Sequence, residues 1–229
     1  MVFPRPIRAV VFDMDGLLVD TEALIRDIMV ELVAARGAHL PPEVFKRMIG
    51  LPAEASDAVA RGHFGPDFPL DDLYADVAVR IHAACEVGVA LKAGVRELLD
   101  HLDAAKIPRA ICTSSSPAAV QRTLGPSGIL PRFDAIVAAG DYPRGKPNPD
   151  PFLTAASRLG VAPRDCLALE DSHNGIRAAH AAGMMTVMVP DLLEATDEMH
   201  EKALAIVESL HHVLDLIDRE GLAAAPSGL

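Results

Sequence analysis

Two aspartates, Asp13 and Asp15, stand at the end of a run of β-branched and aromatic residues in "RAVVFDMDGLLVDTE", residues 8 to 22. In an extended backbone, residues two apart point to the same side, so both carboxylates can face one substrate while Met14 packs the other way. One carboxylate of such a pair can act as nucleophile, and the other can give and take protons. Three more polar clusters lie far away along the chain: "TSSS" at 113–116, Lys146 in "RGKPNPDPF", and Glu170 with Asp171 after "CLAL". Pro147 and Pro149 restrict the backbone beside Lys146, so the chain itself sets the position of the amine. Asp-X-Asp after a strand is, by itself, an ordinary polar turn. Its meaning depends on whether the fold brings the other clusters to it.

The elements that must do this can be read from the pattern of apolar residues. "IRAVVF", residues 7–12, is short and continuously apolar, as in a strand buried on both faces. From Thr21, a candidate N-cap, the apolar residues Leu24, Ile25, Ile28, Met29, Leu32 and Val33 recur at helical spacing until Gly37. "PPEVFKRMIG", "PAEASDAVARGHF" and "DDLYADVAVRIHAACE" continue the helical rhythm, each opening at Pro or Asp. After Gly94 helices and strands alternate, with strands predicted in "PRAICT", "FDAIVAA", "CLALE" and "TVMVP". Such alternation predicts an α/β fold, a Rossmann-like parallel sheet with helices on its faces. The expected organisation is a catalytic core of residues 1–18 and 92–229 interrupted by an all-helical cap, 19–91. The aspartate pair, "TSSS" and Glu170 with Asp171 then fall at the carboxyl ends of strands, the edge where open parallel sheets bind ligands, and Lys146, just before a helix, can join them.

Converging carboxylates would repel one another and resist ionisation unless a cation joined them. Carboxylate oxygens without a competing His or Cys cluster describe a Mg²⁺ site. A hydroxyl, free backbone N–H groups ahead of a helix in "TSSS", and one lysine suit a phosphate. Metal and phosphate together point to phosphoryl transfer, with Asp13 attacking phosphorus in line and Asp15 as acid and base. Mg²⁺ and Lys146 would neutralise the repulsion between nucleophile and phosphate.

In order and spacing, "DMDGLLVDTE", "TSSSP", "GKPNPDPF" and "LEDSHNGIRAAHAAGM" resemble the haloacid dehalogenase superfamily over nearly the whole chain. The resemblance is to the branch with a helical cap after the first motif, the β-phosphoglucomutase-like proteins and small-metabolite phosphatases. It implies Asp13 as nucleophile and Asp15 as acid/base. Ser114, reached by counting back from Pro117, Ser115 and Lys146 would bind phosphate, with Thr113 the alternative to Ser114. Asp13, the backbone carbonyl of Asp15, Glu170 and Asp171 would serve Mg²⁺, Glu170 directly or through water. Departures narrow the reading. Dehalogenases of the superfamily lack the second aspartate and phosphonate-cleaving members carry Ala there, so Asp15 counts against both. Mutases of the branch carry a cap histidine where this chain has Ile25, and a cap-loop arginine near Ala53. The expectation is a Mg²⁺-dependent phosphatase acting on a small phosphomonoester, sugar phosphate or nucleotide-like, through an aspartyl-phosphate. A sugar-phosphate mutase and a non-catalytic phosphate-binding protein are the alternatives.

Composition excludes other classes. A formal charge of −11 argues against a nucleic-acid surface. Cys85, Cys112 and Cys166 form no CxxC pair, which suggests neither disulfides nor zinc and makes a cytoplasmic setting the expectation. No stretch reaches the roughly 18 apolar residues of a membrane span, and the N-terminus carries no secretory pattern. Cys112 reads as a small buried hydrophobe and Met184, Met185 and Met188 as core. His173 reads as a surface residue at a helix start, and Glu22, Arg47 and Arg80 as solvated helix faces. The chain crosses between core and cap near 18–21 and 90–94, which suggests a hinge, with "IGLP" (49–52) as a specificity loop. The tail "GLAAAPSGL" is expected to fray.

Overall fold

A computed structural model describes residues 3–49, 53–220 and 222. Among them runs one six-stranded parallel sheet: β1 (Ala9–Phe12), β2 (Arg109–Cys112), β3 (Ala135–Val137), β4 (Cys166–Glu170), β5 (Met185–Met188) and β6 (Ala205–Ile206). The spatial order is β3-β2-β1-β4-β5-β6. The order reverses between β1 and β4, and in open parallel sheets the crevice outside the carboxyl ends at such a reversal receives ligands.

Side-chain alternation along the strands builds a core on each face. Val10 and Phe12 of β1, with Leu167 and Leu169 of β4, join the larger cluster. There they meet Leu98 and Leu102 of α5 (Val95–Ala105) and Val213 and Ile217 of α10 (Leu210–Glu220). Ala9, Val11 and Ala168 face the other way, onto α7 (Asp150–Leu159) and α8 (His173–Ala181). Small residues dominate that second cluster, Ala155, Ala156, Ala178 and Ala179 among them, which lets α7 and α8 lie close against the sheet. Gly94, ahead of α5, has φ +87°, and a methyl group built on it would lie 2.4 Å from the His211 amide. Only glycine allows both that backbone and the docking of α10.

Between β1 and α5 the described residues form four helices and no strand: α1 (Thr21–Ala35), α2 (Pro42–Met48), α3 (Ala53–Phe64) and α4 (Leu70–Val87). They hold a cluster of their own, including Met29, Val33, Phe45, Leu70 and Leu73. The two crossings run side by side, with Asp20 N–H bonded to the Ala90 carbonyl at 3.1 Å and Lys92 N–H to the Leu18 carbonyl at 3.0 Å. No described helix is long and apolar enough to cross a membrane.

Three local expectations are corrected. Thr21 does not cap α1 but is its first residue, because its hydroxyl turns back to Asp15 Oδ1 at 3.0 Å; Asp20 holds the cap position without a side-chain bond. The first strand begins at Ala9, with Ile7 making only an isolated bridge to Leu222. β6 and α9 (Asp197–Lys202) follow the last strand that the pattern predicts; β6 has two half-buried residues, too few for periodicity to register. Most of "IGLP" and all of the tail except Leu222 lie outside the described residues.

Candidate active site

Asp13 leaves the end of β1 with its N–H still in the sheet ladder, bonded to the Leu169 carbonyl at 3.0 Å. Glu170 ends β4 and Asp171 follows it, so the reversal of strand order sets three carboxyl groups around one point. One oxygen from each of Asp13, Glu170 and Asp171 lies within 4.8 Å of the others. Lys146 enters from the loop before α7. Its Nζ donates to Asp13 Oδ1 at 2.5 Å, Glu170 Oε1 at 2.6 Å and the Cys112 carbonyl at 2.9 Å. The Phe152 ring lies 5.1 Å beneath the ammonium.

Burial dominates the electrostatics. It pushes the Asp13 carboxyl up to about 8; the Lys146 ammonium opposes this, and the negative charges of Glu170 and Asp15 add to it. Asp171 is pushed well above the usual carboxylate range by burial, then by Asp13 and Glu170. For Lys146 burial works against the charge, yet Asp13 and Glu170 hold the ammonium well above its ordinary range. One lysine therefore does not balance the site. A divalent cation among the oxygens would return the carboxyls to their ionised form. The donors are hard oxygens alone, which suits Mg²⁺ and not a thiolate- or imidazole-seeking metal.

Glu170 is fully buried, and the start of α8 completes its surroundings. Oε2 accepts from Ser172 N–H at 3.1 Å and Ser172 Oγ at 3.0 Å. Ser172 also caps α8 by accepting from Gly175 N–H at 3.1 Å. A methyl group on Gly175 would fall 1.8 Å from Glu170 Cδ, so a glycine is required where the helix passes over this carboxylate. Gly175 stands outside the residues singled out by chemistry; its only signal in the sequence is a glycine within a helix, unfavourable there without a packing reason.

The hydroxyls of "TSSS" divide their duties. Thr113 Oγ1 accepts from Ser115 N–H at 3.0 Å. Ser115 Oγ donates to Asp15 Oδ2 at 2.8 Å, and Ser116 Oγ caps α6 (Pro117–Leu124) by accepting from Ala119 N–H at 3.3 Å. Ser114 is exposed to the cleft. The amide of Ser115, a residue expected to bind phosphate, is bonded to Thr113 and its hydroxyl to Asp15. Asp15 is thus gripped from two sides, by Thr21 and Ser115. Its side chain does not join the group of three carboxyls.

All this opens into a cleft of about 680 Å³ lined by Asp13, Asp15, Thr113, Ser114, Lys146 and Asp171, with Ser172, His173, Asn174 and Arg177 on the α8 side. That is the size of a small-ligand site. Glu22 of α1 and Ile49 line it from the helical segment. Glu22 is therefore not the solvated helix face expected for it: burial first, then Asp191, Asp15 and Asp20, raises its carboxyl. Arg47 and Arg80 are exposed as expected, Arg80 paired with Glu31. His173, half-buried at the start of α8, bonds the Glu194 carbonyl through Nε2 at 2.8 Å. Cys112 is buried, which pushes its thiol up to about 12, and Met184, Met185 and Met188 are core residues.

Comparison with known proteins agrees with this geometry. Residues 7–183 match the family model described as haloacid dehalogenase-like hydrolase. A Drosophila melanogaster protein named "Probable pseudouridine-5'-phosphatase" is 36% identical over 196 residues, 82% of this chain and 83% of that one. A haloacid dehalogenase family hydrolase from Deinococcus radiodurans, solved with bound phosphate and sodium, superimposes with a TM-score of 0.81 at 29% identity, covering 96% of this chain and 99% of that one. CbbY from Rhodobacter sphaeroides, solved with phosphate, gives 0.73 at 28% identity, covering 95% and 98%.

Proposed function

Because the chain belongs to the haloacid dehalogenase-like hydrolases and is similar to phosphatases among them, we propose that it hydrolyses a small phosphomonoester, a sugar phosphate or nucleotide-like compound, through an aspartyl-phosphate on Asp13. The observation that carries this reading is the meeting of Asp13, Glu170 and Asp171 within 4.8 Å with Lys146 bonded to two of them. Asp13, Asp171 and the backbone carbonyl of Asp15 would hold Mg²⁺. Glu170, both oxygens of which are engaged by Lys146 and Ser172, would serve it through a water. The ion would supply positive charge opposite the phosphate oxygens.

In the first step an Asp13 oxygen bonds to phosphorus as the ester P–O bond breaks, and Asp15 gives its proton to the departing alkoxide. In the second, Asp15 takes a proton from water, the water oxygen bonds to phosphorus, and the Asp13–phosphorus bond breaks to release inorganic phosphate. Lys146 and Ser114 hold the phosphate oxygens. The hydroxyls of Thr21 and Ser115 hold Asp15 in one rotamer through both steps, which favours proton transfer along a fixed path.

The helical segment 19–91 serves as a cap on the core of 1–18 and 92–229, closing about the paired crossings. Ile25, at the position of the mutase histidine, packs half-buried in the cap's own apolar cluster. The reading therefore favours water as the final acceptor over a second sugar hydroxyl.

The test is inorganic phosphate release from a panel of sugar phosphates, nucleotides and pseudouridine 5'-phosphate, with Mg²⁺ or EDTA. Wild-type release should require Mg²⁺ and vanish in Asp13→Asn. Isomerised product exceeding free phosphate would instead identify a mutase, and binding without turnover a phosphate-binding protein.

A further inference from the structure

Outside the motifs, one more carboxylate approaches the site. Asp191 follows β5 at the same carboxyl edge of the sheet, and its side chain is only 10% exposed. Lys92, in the second crossing between helical segment and core, donates to Asp191 Oδ1 at 2.6 Å. Oδ2 is buried and has no hydrogen-bond partner. It is turned toward Gly16: a methyl group built there would lie 3.4 Å from Asp191 Oδ2 and 2.4 Å from Asp171 Oδ2. A buried carboxylate oxygen without a donor is costly, and here it lies beside a second carboxylate with its own charge. With one oxygen fixed by the lysine and the other set beside Asp171, a cation held by Asp171 would lie close enough to offset the charge of the unpaired oxygen.

We propose that Asp191, anchored by Lys92, is an outer carboxylate of the cation site: its Oδ2 accepts a hydrogen bond from the ion's hydration shell. This rests on the Mg²⁺ reading above. It makes Asp191 a positioning residue, acting on the ion and not on the substrate. Lys92 belongs to the crossing, so the orientation of Asp191 depends on a side chain carried by the hinge.

The measurement is cation affinity without substrate: free Mn²⁺ counted by electron paramagnetic resonance during titration, with Mg²⁺ as competitor. Two variants are compared with wild type, Asp191→Asn and the double variant Lys92→Met/Asp191→Asn. The double variant removes both members of the Lys92–Asp191 pair, so it keeps the test open where the single change prevents folding, and it leaves the local net charge as it was. Both should weaken binding about tenfold, the loss usual for outer partners of a metal site, with unchanged circular dichroism. Affinities within twofold of wild type in both would reduce Asp191 to a hinge anchor and overturn the proposal. So would weak binding in the single variant with recovery in the double, which would mean net charge and no directed contact. A wild-type protein that binds neither ion would overturn the Mg²⁺ reading itself, an outcome distinct from equal binding in all three.

Discussion

Lys146 is the residue on which the charge balance of the site turns. Its ammonium touches two buried carboxylates and opposes the rise of the Asp13 carboxyl toward 8. In Lys146→Met that opposing charge is gone, so folded Asp13 keeps its proton to still higher pH, while in the unfolded chain it ionises near the ordinary value of about 3.9. A folded state that holds more protons than the unfolded state loses stability as pH rises. Metal-free Lys146→Met should thus fall further below wild type as pH passes about 8, to a deficit of about 3 kcal/mol, by urea titration at pH 6 to 9. Phosphate release should drop about 10²- to 10³-fold, the loss expected for one charge-stabilising donor. A deficit that shrinks with rising pH would contradict this account of the site.

At the scale of elements, the contact between β4 and α8 is the tightest constraint on the chemistry. Glu170 at the strand end and Gly175 in the first turn of the helix occupy space that admits no methyl group. Gly175→Ala would ordinarily help a helix by up to about 1 kcal/mol. Here the methyl must displace either the helix or the carboxylate, so the variant should be less stable by about 1–3 kcal/mol in thermal unfolding, the range for overpacking. Activity should fall with it, because Glu170 cannot move without releasing Lys146 and Ser172. A stabilised, fully active Gly175→Ala would show that α8 shifts freely. The division of labour among Thr113, Ser114, Ser115 and Ser116 also belongs to this scale. Four hydroxyl residues in a row carry no register of their own, and only the start of α6 and the position of Asp15 distinguish them.

For the whole molecule, two crossings joined by backbone hydrogen bonds connect a four-helix unit with its own apolar cluster to the sheet. Closure about that joint should reduce the radius of gyration in small-angle scattering when Mg²⁺ and a phosphate analogue are added together, and an unchanged radius would exclude a hinged cap. Much of this was legible in one dimension. The apolar run of β1, the helical rhythm of 21–87 and the later alternation of strands and helices specify a parallel sheet. That topology in turn brings Asp13, Lys146, Glu170 and Asp171 to one edge, since burial patterns and strand direction are local properties of the sequence. Other features depend on contacts between residues far apart, for which no local pattern exists. The engagement of Ser115 with Asp15, the turning of Thr21 away from the cap role, the glycine against Glu170 and the presence of Glu22 in the cleft are all of this kind. Asp191 and Lys92 are 99 residues apart, and only the packing of the second crossing against the end of β5 makes them a pair beside the site.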